Sequence, residues 1–435
     1  MAEKVELITE AQLGFALKLL YLQHNDNSST VFSPVSIATA LAMMYLGAEG
    51  NTAEEIKNAL AGDFSESVIH SHFTTMLKHI KDEYAVKEPP SPPPEEIDSE
   101  DEEAYEKRER LYEIQKCTAA AVLETVNRVY VKKDINLEAK FVKKFDELYQ
   151  GGIDKIDFME TSNVEKINEF IAEATRGKIQ NLVTKESFSK ATELVLINAI
   201  YFKGRWHSEF HPSETENANF YSAPGKIKNV NAFTTLAPNT VTFQAKMMRQ
   251  GVKRWQFSEN DKFQFLSLPY NMSEISLKII LPKERFGLDD VIKSLTPAEL
   301  SKHLTNEDEK QVIVRIPRFE VKTQFDAVKL LKDMGIKELF EAEANLQKMT
   351  TDEEGTEAAA ITKCLLSTCC APPPRPIEFT ADHPFLFLIT DNKDHIYFCG
   401  TVTGSEFGEC NTSKSSNKQA KGKASKNPAK KRRKI

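Results

Sequence analysis

Residues 193–202 form an almost unbroken apolar run that constrains the fold more than any other stretch of the chain. The run has one polar member in its interior, Asn198, and it predicts a β-strand that is buried on both faces. A second constraint is the stretch that follows Ser33 and Pro34, two residues typical of a helix start. The predicted helix, which reaches Leu46, is apolar on nearly every side, and such a helix is buried. Both elements therefore belong to the core of a sizeable fold.

Predicted helices come first along the chain and predicted strands come late, without regular alternation. This order predicts the α+β class. The capping-box pattern at residues 9–12 predicts a first helix over 10–22, and residues 52–55 are expected to cap another. The further predicted elements are a helix over 163–183, strands over 126–131, 276–281 and 311–321, and a hairpin of 384–390 with 395–402.

The length and the composition of the chain limit the classes of protein to which it can belong. The chain has 435 residues, of which 40% are apolar, which is enough for a large core. No apolar run reaches the length of about 18 residues that a membrane span needs. The first residues, Met-Ala-Glu-Lys-Val-Glu-Leu-Ile, lack the apolar core of a signal peptide, and the 6 cysteines show neither zinc-type spacing nor a dense framework. We therefore expect a cytoplasmic and nuclear protein rather than an extracellular one, without a membrane contact.

Two charged segments stand apart from the globular pattern. Residues 87–110 combine a proline cluster with a dense acidic run, a composition that predicts a disordered loop insert. The net charge is −7, yet residues 414–435 hold ten Lys or Arg and no acid, which leaves −17 on the rest of the chain. The sequence therefore predicts one domain over 1–405 and a disordered basic tail over 406–435.

The tail ends in a basic cluster, whose members are Lys430, Lys431, Arg432, Arg433 and Lys434. This cluster indicates a nuclear localisation signal that binds an import receptor. Two alternatives remain open: a solvated tail with no specific contact, and weak nucleic-acid binding through release of phosphate counterions. The tail has no aromatic residue that could stack on bases, which argues against the last alternative.

Motifs of common enzyme classes are missing from the sequence. It has no Gly-x-Ser-x-Gly elbow, no His-Glu-x-x-His pair and no glycine-rich phosphate loop. None of the 9 histidines is spaced like a metal site. We therefore expect no enzyme activity, no cofactor and no metal.

The stretch at 353–362, Glu-Glu-Gly-Thr-Glu-Ala-Ala-Ala-Ile-Thr, is the most informative for function. Taken alone, its composition favours a short surface helix. The cluster Pro-Pro-Pro-Arg-Pro at 372–376 changes this interpretation, because no helix continues through it. The region beyond Cys370 must then be an extended, exposed loop, and exposed loops with small side chains are where proteases cut.

Several motifs between residue 10 and the end of the last predicted hairpin resemble, in order, those of the serpin family. Gly-Thr-Glu-Ala-Ala-Ala from Gly355 resembles the hinge of inhibitory serpins, and 377–387 looks like the strand after a serpin bait loop. Residues 32–37 and 196–206 are similar to the family's buried helix and central strand. Leu-Pro-Tyr at 268–270, Ile-Ile-Leu-Pro at 279–282 and Ile-Pro-Arg-Phe at 316–319 also match. The lack of a signal peptide resembles the intracellular, ovalbumin-like branch.

The resemblance implies a serpin fold, with a large mixed main sheet, two further sheets, about nine helices and an exposed reactive-centre loop over 355–376. It also implies a monomer that inhibits a serine protease. The protease forms an acyl-enzyme at the bait, and the cut loop then inserts into the main sheet with the protease still attached. The residues that the resemblance places at the opening region of this sheet are Ser33, Ser36, Asn198 and Trp206.

Within the bait, the resemblance implies a hinge made of Gly355, Thr356, Glu357, Ala358, Ala359, Ala360, Ile361 and Thr362. In an inserted strand the small side chains of Thr356, Ala358, Ala360 and Thr362 share one face, which suits a packed sheet. Counting along the loop as in the family puts the cleaved bond between Cys369 and Cys370. A Cys at the specificity position is small and weakly apolar, which suits elastase-like or chymotrypsin-like proteases.

The pair Cys369–Cys370 leaves two interpretations open. It is either an ordinary exposed pair without a redox role, or an oxidation switch that disables the bait. Trypsin is not the expected target, because Arg375 is followed by Pro376 and is a poor trypsin site.

The chain departs from the family just before the hinge. Only residues 347–352 separate Asn345-Leu346 from Glu353-Glu354, where serpins place a long main-sheet strand. The histidine that the family pairs with Asn198 would be lost with this strand, and Asn198 would need another partner. Residues 349–362 could pair in the place of the missing strand. The alternative function is therefore a non-inhibitory, nuclear or chromatin-associated protein that uses the fold as a scaffold and the basic tail as its contact.

Overall fold

The computed structural model describes residues 2–24, 28–84, 121–149, 152–222, 241–323, 325–341, 344–349 and 376–409. Within these ranges the chain forms nine α-helices and thirteen β-strands. The helices are α1 Ala2–Gln23, α2 Pro34–Gly47, α3 Gly50–Leu60, α4 Glu66–Tyr84, α5 Ala139–Tyr149, α6 Thr161–Ala174, α7 Leu288–Ser294, α8 Pro297–Leu304 and α9 Ala327–Met334. None of the helices in the described ranges is long and apolar enough to cross a membrane.

The strands form two sheets. They are β1 Thr30–Phe32, β2 Val122–Lys132, β3 Gly152–Ile156, β4 Leu194–Lys203, β5 Glu216–Ser222, β6 Val241–Glu259, β7 Phe263–Pro269, β8 Ser276–Pro282, β9 Glu309–Pro317, β10 Ile377–Thr380, β11 Phe385–Thr390, β12 Ile396–Val402 and β13 Gly408–Glu409. Ten strands join in one sheet of order β1-β12-β11-β8-β7-β6-β9-β10, with β5 and β13 also on β6. The remaining three form a sheet of order β3-β2-β4.

The large sheet is mixed and has two halves that meet at the long strand β6. One half runs from β1 to β7 and is antiparallel, and the other contains the parallel pair of β9 with β10. With the three-stranded sheet and the nine helices of the described ranges, this arrangement confirms the predicted α+β class with a large mixed sheet. The described strands form one further sheet where two were predicted, and β4, which was predicted as the central strand of the main sheet, lies in this smaller sheet.

Helix α2 and the hairpin β11–β12 follow the sequence pattern closely. Ser33 caps α2, since its Oγ accepts a hydrogen bond from the backbone N of Ser36 at 3.1 Å, and Pro34 begins the helix. As predicted, most side chains of α2 are buried, and the helix packs against both β4 and β12. Strands β11 and β12 pair antiparallel, as the hairpin pattern predicts.

Three predicted helix boundaries are wrong. Helix α1 begins at Ala2 and not near residue 10, because residues 2–9 are already helical and Thr9 lies inside the helix instead of capping it. Helix α3 begins at Gly50, and Thr52 lies inside it, because its hydroxyl is buried and donates to Glu338 Oε1 at 2.7 Å instead of capping the helix. Helix α6 ends at Ala174 and not near residue 183, because Arg176 and Gly177 both take positive φ angles.

The strand predictions also need two corrections. Strand β9 ends at Pro317 and does not reach residue 321, since proline has no backbone N–H to continue the ladder. Strand β4 was predicted to be fully buried on both faces. Among its described side chains only Ile197 is buried, and most of the others are half-buried because one edge of β4 has no partner strand in the described ranges.

Candidate functional site

The predicted bait loop, residues 355–376, is flanked by two described segments: an upstream anchor, residues 344–349, and a downstream anchor, strand β10. All eight predicted hinge residues, from Gly355 to Thr362, and the predicted bond between Cys369 and Cys370 lie outside the described residues. The same holds for the insert at 87–110 and for the basic cluster at 430–434. These assignments therefore stay predictions, and the structure describes the residues that position the loop.

The downstream anchor is β10, which begins directly after the loop. It pairs in parallel with β9, with Ile377 opposite Val312 and Thr380 opposite Arg315. Phe379 of β10 is fully buried. The backbone N of Ala381 donates to the carbonyl of Arg315 at 2.9 Å, which continues the pairing beyond the strand. The chain after the bait is therefore part of the large sheet.

The upstream anchor is the segment 344–349, which is fixed by hydrogen bonds to two helices. The carbonyl of Asn345 accepts from the backbone N of Glu49 at 3.0 Å, and the backbone N of Asn345 donates to Thr52 Oγ1 at 2.9 Å. The carbonyl of Met349 accepts from the backbone N of Glu138 at 2.9 Å. The chain before the bait is therefore held at the start of α3 and the start of α5.

A half-buried charge cluster also fixes the upstream anchor. Lys348 Nζ donates to Glu66 Oε2 at 2.9 Å, and the other carboxylate oxygen lies 3.7 Å from both His70 Nε2 and Lys144 Nζ. The nearby His70 and Lys348 hold the pKa of Glu66 at about 2, against the effect of burial. Burial in turn lowers the pKa of His70. Glu66 is thus a carboxylate at neutral pH and attracts Lys348 towards α4.

Met349 is the apolar part of the same anchor. Its side chain is 3% exposed and fills the space over Gly47, the last residue of α2. A Cβ at position 47 would overlap Met349 Cγ and lie 2.8 Å from Met349 Sδ. The absence of a side chain at Gly47 is therefore what allows the anchor to close on α2.

Replacement of Gly47 by alanine is expected to lower the free energy of unfolding by about 1–3 kcal/mol, because the new methyl group overpacks the site of Met349. Urea unfolding measures this loss. Gly14→Ala is the matched control, since a Cβ there meets only Pro297 at an ordinary 3.5 Å. The double variant Gly47→Ala, Met349→Ala should be no less stable than Met349→Ala alone. Additive losses would contradict the packing described here.

The predicted opening-region residues lie on separate elements. Ser33 and Ser36 form the N-terminal cap of α2, and Trp206 follows the end of β4. The backbone of Asn198 lies in β4 opposite Asn127 of β2. The Asn198 side chain is outside the described part, so the expectation that it needs a partner other than the family's histidine stays a prediction. The structure therefore brings Asn198 and Trp206 onto one strand and its extension, and it leaves the two serines at the start of a helix.

An aromatic cluster surrounds Trp206 at the end of β4. The Trp206 ring stacks on Tyr270 with centroids 4.8 Å apart and planes 13° from parallel, and the backbones of the two residues form an antiparallel bridge. Phe202 approaches the same tyrosine edge-on at 4.8 Å. Gly204 lies beneath this ring, where a Cβ would come within 2.7 Å of Tyr270. The cluster connects the end of β4 to β7.

The residues that fix the upstream anchor were not predicted from the sequence. Thr52 was assigned to a helix cap, and Glu66, Lys348 and Met349 were assigned no role. Their partners lie far away in sequence: Glu66 is 282 residues from Lys348 and Thr52 is 293 from Asn345. Nothing local in the sequence marks such pairs, so no pattern of spacing or capping could have found them.

Comparisons with known proteins agree with this architecture. A family model described as serpin (serine protease inhibitor) matches residues 10–404. Serpin B6 of Pongo abelii is 32% identical over 424 residues, covering 91% of this chain and 99% of that protein. Leukocyte elastase inhibitor of Bos taurus is 29% identical over 428 residues, covering 92% and 100%. The structure of cleaved serpin 42Da superposes with a TM-score of 0.69 at 22% identity, covering 93% of this chain and 99% of that one.

The α+β fold with its large mixed sheet is the fold of the solved serpin structure on which it superposes. The chain belongs to the serpin family. The family resemblance and the fold class inferred from the motifs are therefore confirmed. In the described ranges no group of three or more His, Cys, Asp or Glu side chains is arranged to hold a metal ion.

Proposed function

We propose that the protein inhibits a serine protease by offering residues 355–376 as bait and trapping the protease as a covalent acyl-enzyme. The observation that carries the proposal is the position of this segment, tethered at Met349 on one side and at β10 on the other. A relative of similar length is named leukocyte elastase inhibitor, which agrees with this proposal.

The chemistry requires only the catalytic groups of the protease. The serine Oγ attacks the carbonyl carbon of Cys369, and the bond to the nitrogen of Cys370 breaks. That nitrogen leaves with the proton that the serine gave to the protease's base, and Cys369 remains bound as an ester. Trapping requires that the ester outlast hydrolysis. For this step we propose that the released segment upstream of Cys369 gains strand hydrogen bonds by pairing with the edge of β4 that has no partner strand among the described residues.

Cys369 is proposed to determine which protease is trapped. Its small, weakly apolar side chain suits the specificity pockets of elastase-like and chymotrypsin-like enzymes and offers nothing to the acidic pocket of trypsin. We expect a monomer that binds one protease. The body of the protein carries a net negative charge and the tail a positive one, and we propose that the tail directs the protein from the cytoplasm to the nucleus through an import receptor.

Incubation of the full-length protein with elastase, chymotrypsin and trypsin should give a covalent band at the summed mass with the first two enzymes only. The variant Cys369→Arg is expected to shift trapping towards trypsin by more than about 100-fold. Cys364→Ser, in the same loop but away from the reactive bond, is the matched control and should leave the preference unchanged. Cleavage at Cys369 without any covalent band would disprove the trap.

A second function is favoured by one observation, the sheet β3-β2-β4, which in the described ranges has a strand on only one side of β4. A bait that inserts between two strands needs a second flank. Without it the protein would be a non-inhibitory nuclear or chromatin-associated protein that contacts its partner through the basic tail. Deletion of residues 414–435 separates the two functions: protease trapping survives it, whereas nuclear retention or weak nucleic-acid binding does not.

A further inference from the structure

A bulge in β6 directs two side chains at one serine, Ser208, in the irregular segment 204–211 that follows β4. The pairing of β6 with β9 changes register between Gln250 and Lys253. The side-chain amide of Gln250 donates to the backbone carbonyl of Ser208, and Lys253 Nζ donates to Ser208 Oγ at 2.8 Å. Bulges re-aim side chains in this way, often next to functional sites. Both the backbone and the hydroxyl of Ser208 are therefore bound by the residues that flank the bulge.

The ammonium group of Lys253 has a neutral partner in a strongly basic stretch. Residues 241–258 hold 4 Lys or Arg and no Asp or Glu. Both arginines of this stretch are paired with carboxylates, Arg249 at 2.8 Å and Arg254 at 3.0 Å. Lys253 instead donates to the Ser208 hydroxyl, in a hydrogen bond that is exposed to solvent. A phosphate on this hydroxyl would bring a charge of about −2 and three acceptor oxygens to a positive charge that is already in place.

The sequence around Ser208 has the spacing that arginine-directed protein kinases bind. Arg205 precedes the serine by three residues, and no other Ser or Thr in the 435-residue chain follows an Arg at this spacing. Such kinases carry acidic side chains that pair with the guanidinium group. Arg205 is exposed, and residues 204–211 lie outside the helices and strands. The motif is therefore on the surface, next to the cation that would receive the phosphate.

We propose that Ser208 is phosphorylated by an arginine-directed serine/threonine kinase and that Lys253 then holds the phosphate. In the transfer, Ser208 Oγ attacks the γ-phosphorus of ATP, and the bond from that phosphorus to the bridging oxygen breaks. The electron pair of this bond stays on ADP, and the hydroxyl proton passes to the carboxylate base of the kinase. A phosphate monoester remains on Ser208. The inference goes beyond protease inhibition and does not depend on the position of the reactive bond.

The position of Lys253 in the sheet indicates what the modification acts on. Lys253 is opposite Val312 of β9, which is opposite Ile377, the first residue of the downstream anchor. Two residues before Ser208, Trp206 stacks on Tyr270 in the aromatic cluster at the end of β4. A phosphate held by Lys253 therefore ties this cluster to the row of the large sheet that contains the start of β10.

Peptide mass spectrometry locates the modification after the full-length protein is incubated with ATP and either of two arginine-directed enzymes, cyclic-AMP-dependent kinase or calmodulin-dependent kinase. We expect phosphate on Ser208 and none on Ser213, an exposed serine nearby that has Phe210 three residues before it. Arg205→Gln should lower the initial rate at Ser208 by at least about 10-fold, because a charge-assisted pair with the kinase is lost. Lys203→Gln, which removes another exposed cation, is the matched control and should leave the rate unchanged.

Phosphorus NMR of the phosphorylated protein tests the contact with Lys253. The second pKa of a phosphoserine is ordinarily about 6, and a nearby ammonium group favours the dianion, so this pKa should lie below its ordinary value. Lys253→Met should raise the pKa by about 0.5 or more. Lys246→Met, which removes an exposed lysine farther along β6, should leave it unchanged. His207, Glu209 and His211 are present in all three proteins, so the difference reports Lys253 alone.

The inference is overturned if neither kinase phosphorylates Ser208, or if Arg205→Gln is phosphorylated as fast as the unchanged protein. Phosphate on Ser213 in place of Ser208 would show that exposure alone selects the serine, and it would also overturn the inference. A phosphate on Ser208 that titrates identically with and without Lys253 would contradict the proposed contact.

Discussion

Replacement of Gly400 by alanine should destabilise the protein by about 3 kcal/mol or more, the largest effect expected from a single methyl group in this fold. Gly400 lies in β12, with Val31 of β1 on one side and Phe387 of β11 on the other. A Cβ there would overlap the backbone carbonyl oxygen of Thr30 and come within 2.7 Å of Phe387 Cζ. Because one obstacle is backbone in a paired strand, the clash cannot be relieved by a change of rotamer.

Equilibrium unfolding in urea measures this loss. The matched control is Gly251→Ala in β6, where a Cβ would meet nothing within 4 Å. The control should change the free energy of unfolding by less than about 0.5 kcal/mol. If Gly400→Ala were as stable as the control, β1 could not be packed against β12 as described.

Removal of the Asp391 carboxylate is expected to cost about 3–5 kcal/mol. Asp391 is fully buried at the start of the turn between β11 and β12. Its carboxylate accepts a hydrogen bond from Tyr397 Oη at 2.7 Å. It also accepts from the backbone N of Lys393 at 2.9 Å and from the backbone N of His395 at 3.0 Å, and His395 Nδ1 lies 2.8 Å away. In Asp391→Ala these donors lose their acceptor inside the protein, which is why the loss exceeds that of a surface ion pair.

The same carboxylate makes stability depend on pH. Burial opposes ionisation of Asp391, but His395 and the hydrogen bonds outweigh it and hold the pKa at about 2, below the ordinary value of 3.8. The stabilisation is therefore complete above pH 3.8 and is lost as the pH falls towards 2. Unfolding free energies measured from pH 5 to pH 2 should fall less steeply in Asp391→Ala.

Asp289→Ala is the matched control for this prediction. Asp289 pairs with Lys293 at 2.5 Å on the exposed face of α7, and its loss should cost less than about 1 kcal/mol. Equal losses in the two variants would contradict the buried network around Asp391.

Much of the fold could be predicted because the local sequence and the tertiary environment agree. Helix α2 has a serine cap, a first-turn proline and apolar residues on every side, and each of these favours a buried helix whatever surrounds it. The hairpin β11–β12 has strongly apolar strands on either side of a polar turn. The ordered motifs were enough to indicate the family, and the comparisons confirm it.

Local sequence patterns gave wrong predictions where a residue distant in the sequence binds the group that the pattern assigned to a local contact. Residues 52–55 carry a good capping pattern, yet Glu338 and Asn345 take the Thr52 hydroxyl, and the helix begins two residues earlier. The apolar run of β4 predicted burial on both faces, and the structure leaves it half-buried because the described residues provide a neighbour on one edge only. The spacing of apolar residues shows which faces of a strand are apolar, but not how many other strands pair with its edges.

By itself the sequence determined the α+β class, the buried helix α2 and the family. The place of the bait between residues 355 and 376 and the short stretch before it stay predictions, because residues 350–375 lie outside the described part of the chain. Only the tertiary structure decided that Met349 closes on Gly47, that Lys348 reaches Glu66, and that β10 pairs in parallel with β9. The physical reason is that these contacts join residues far apart in the sequence, and their energies depend on packing and charge that no local pattern records.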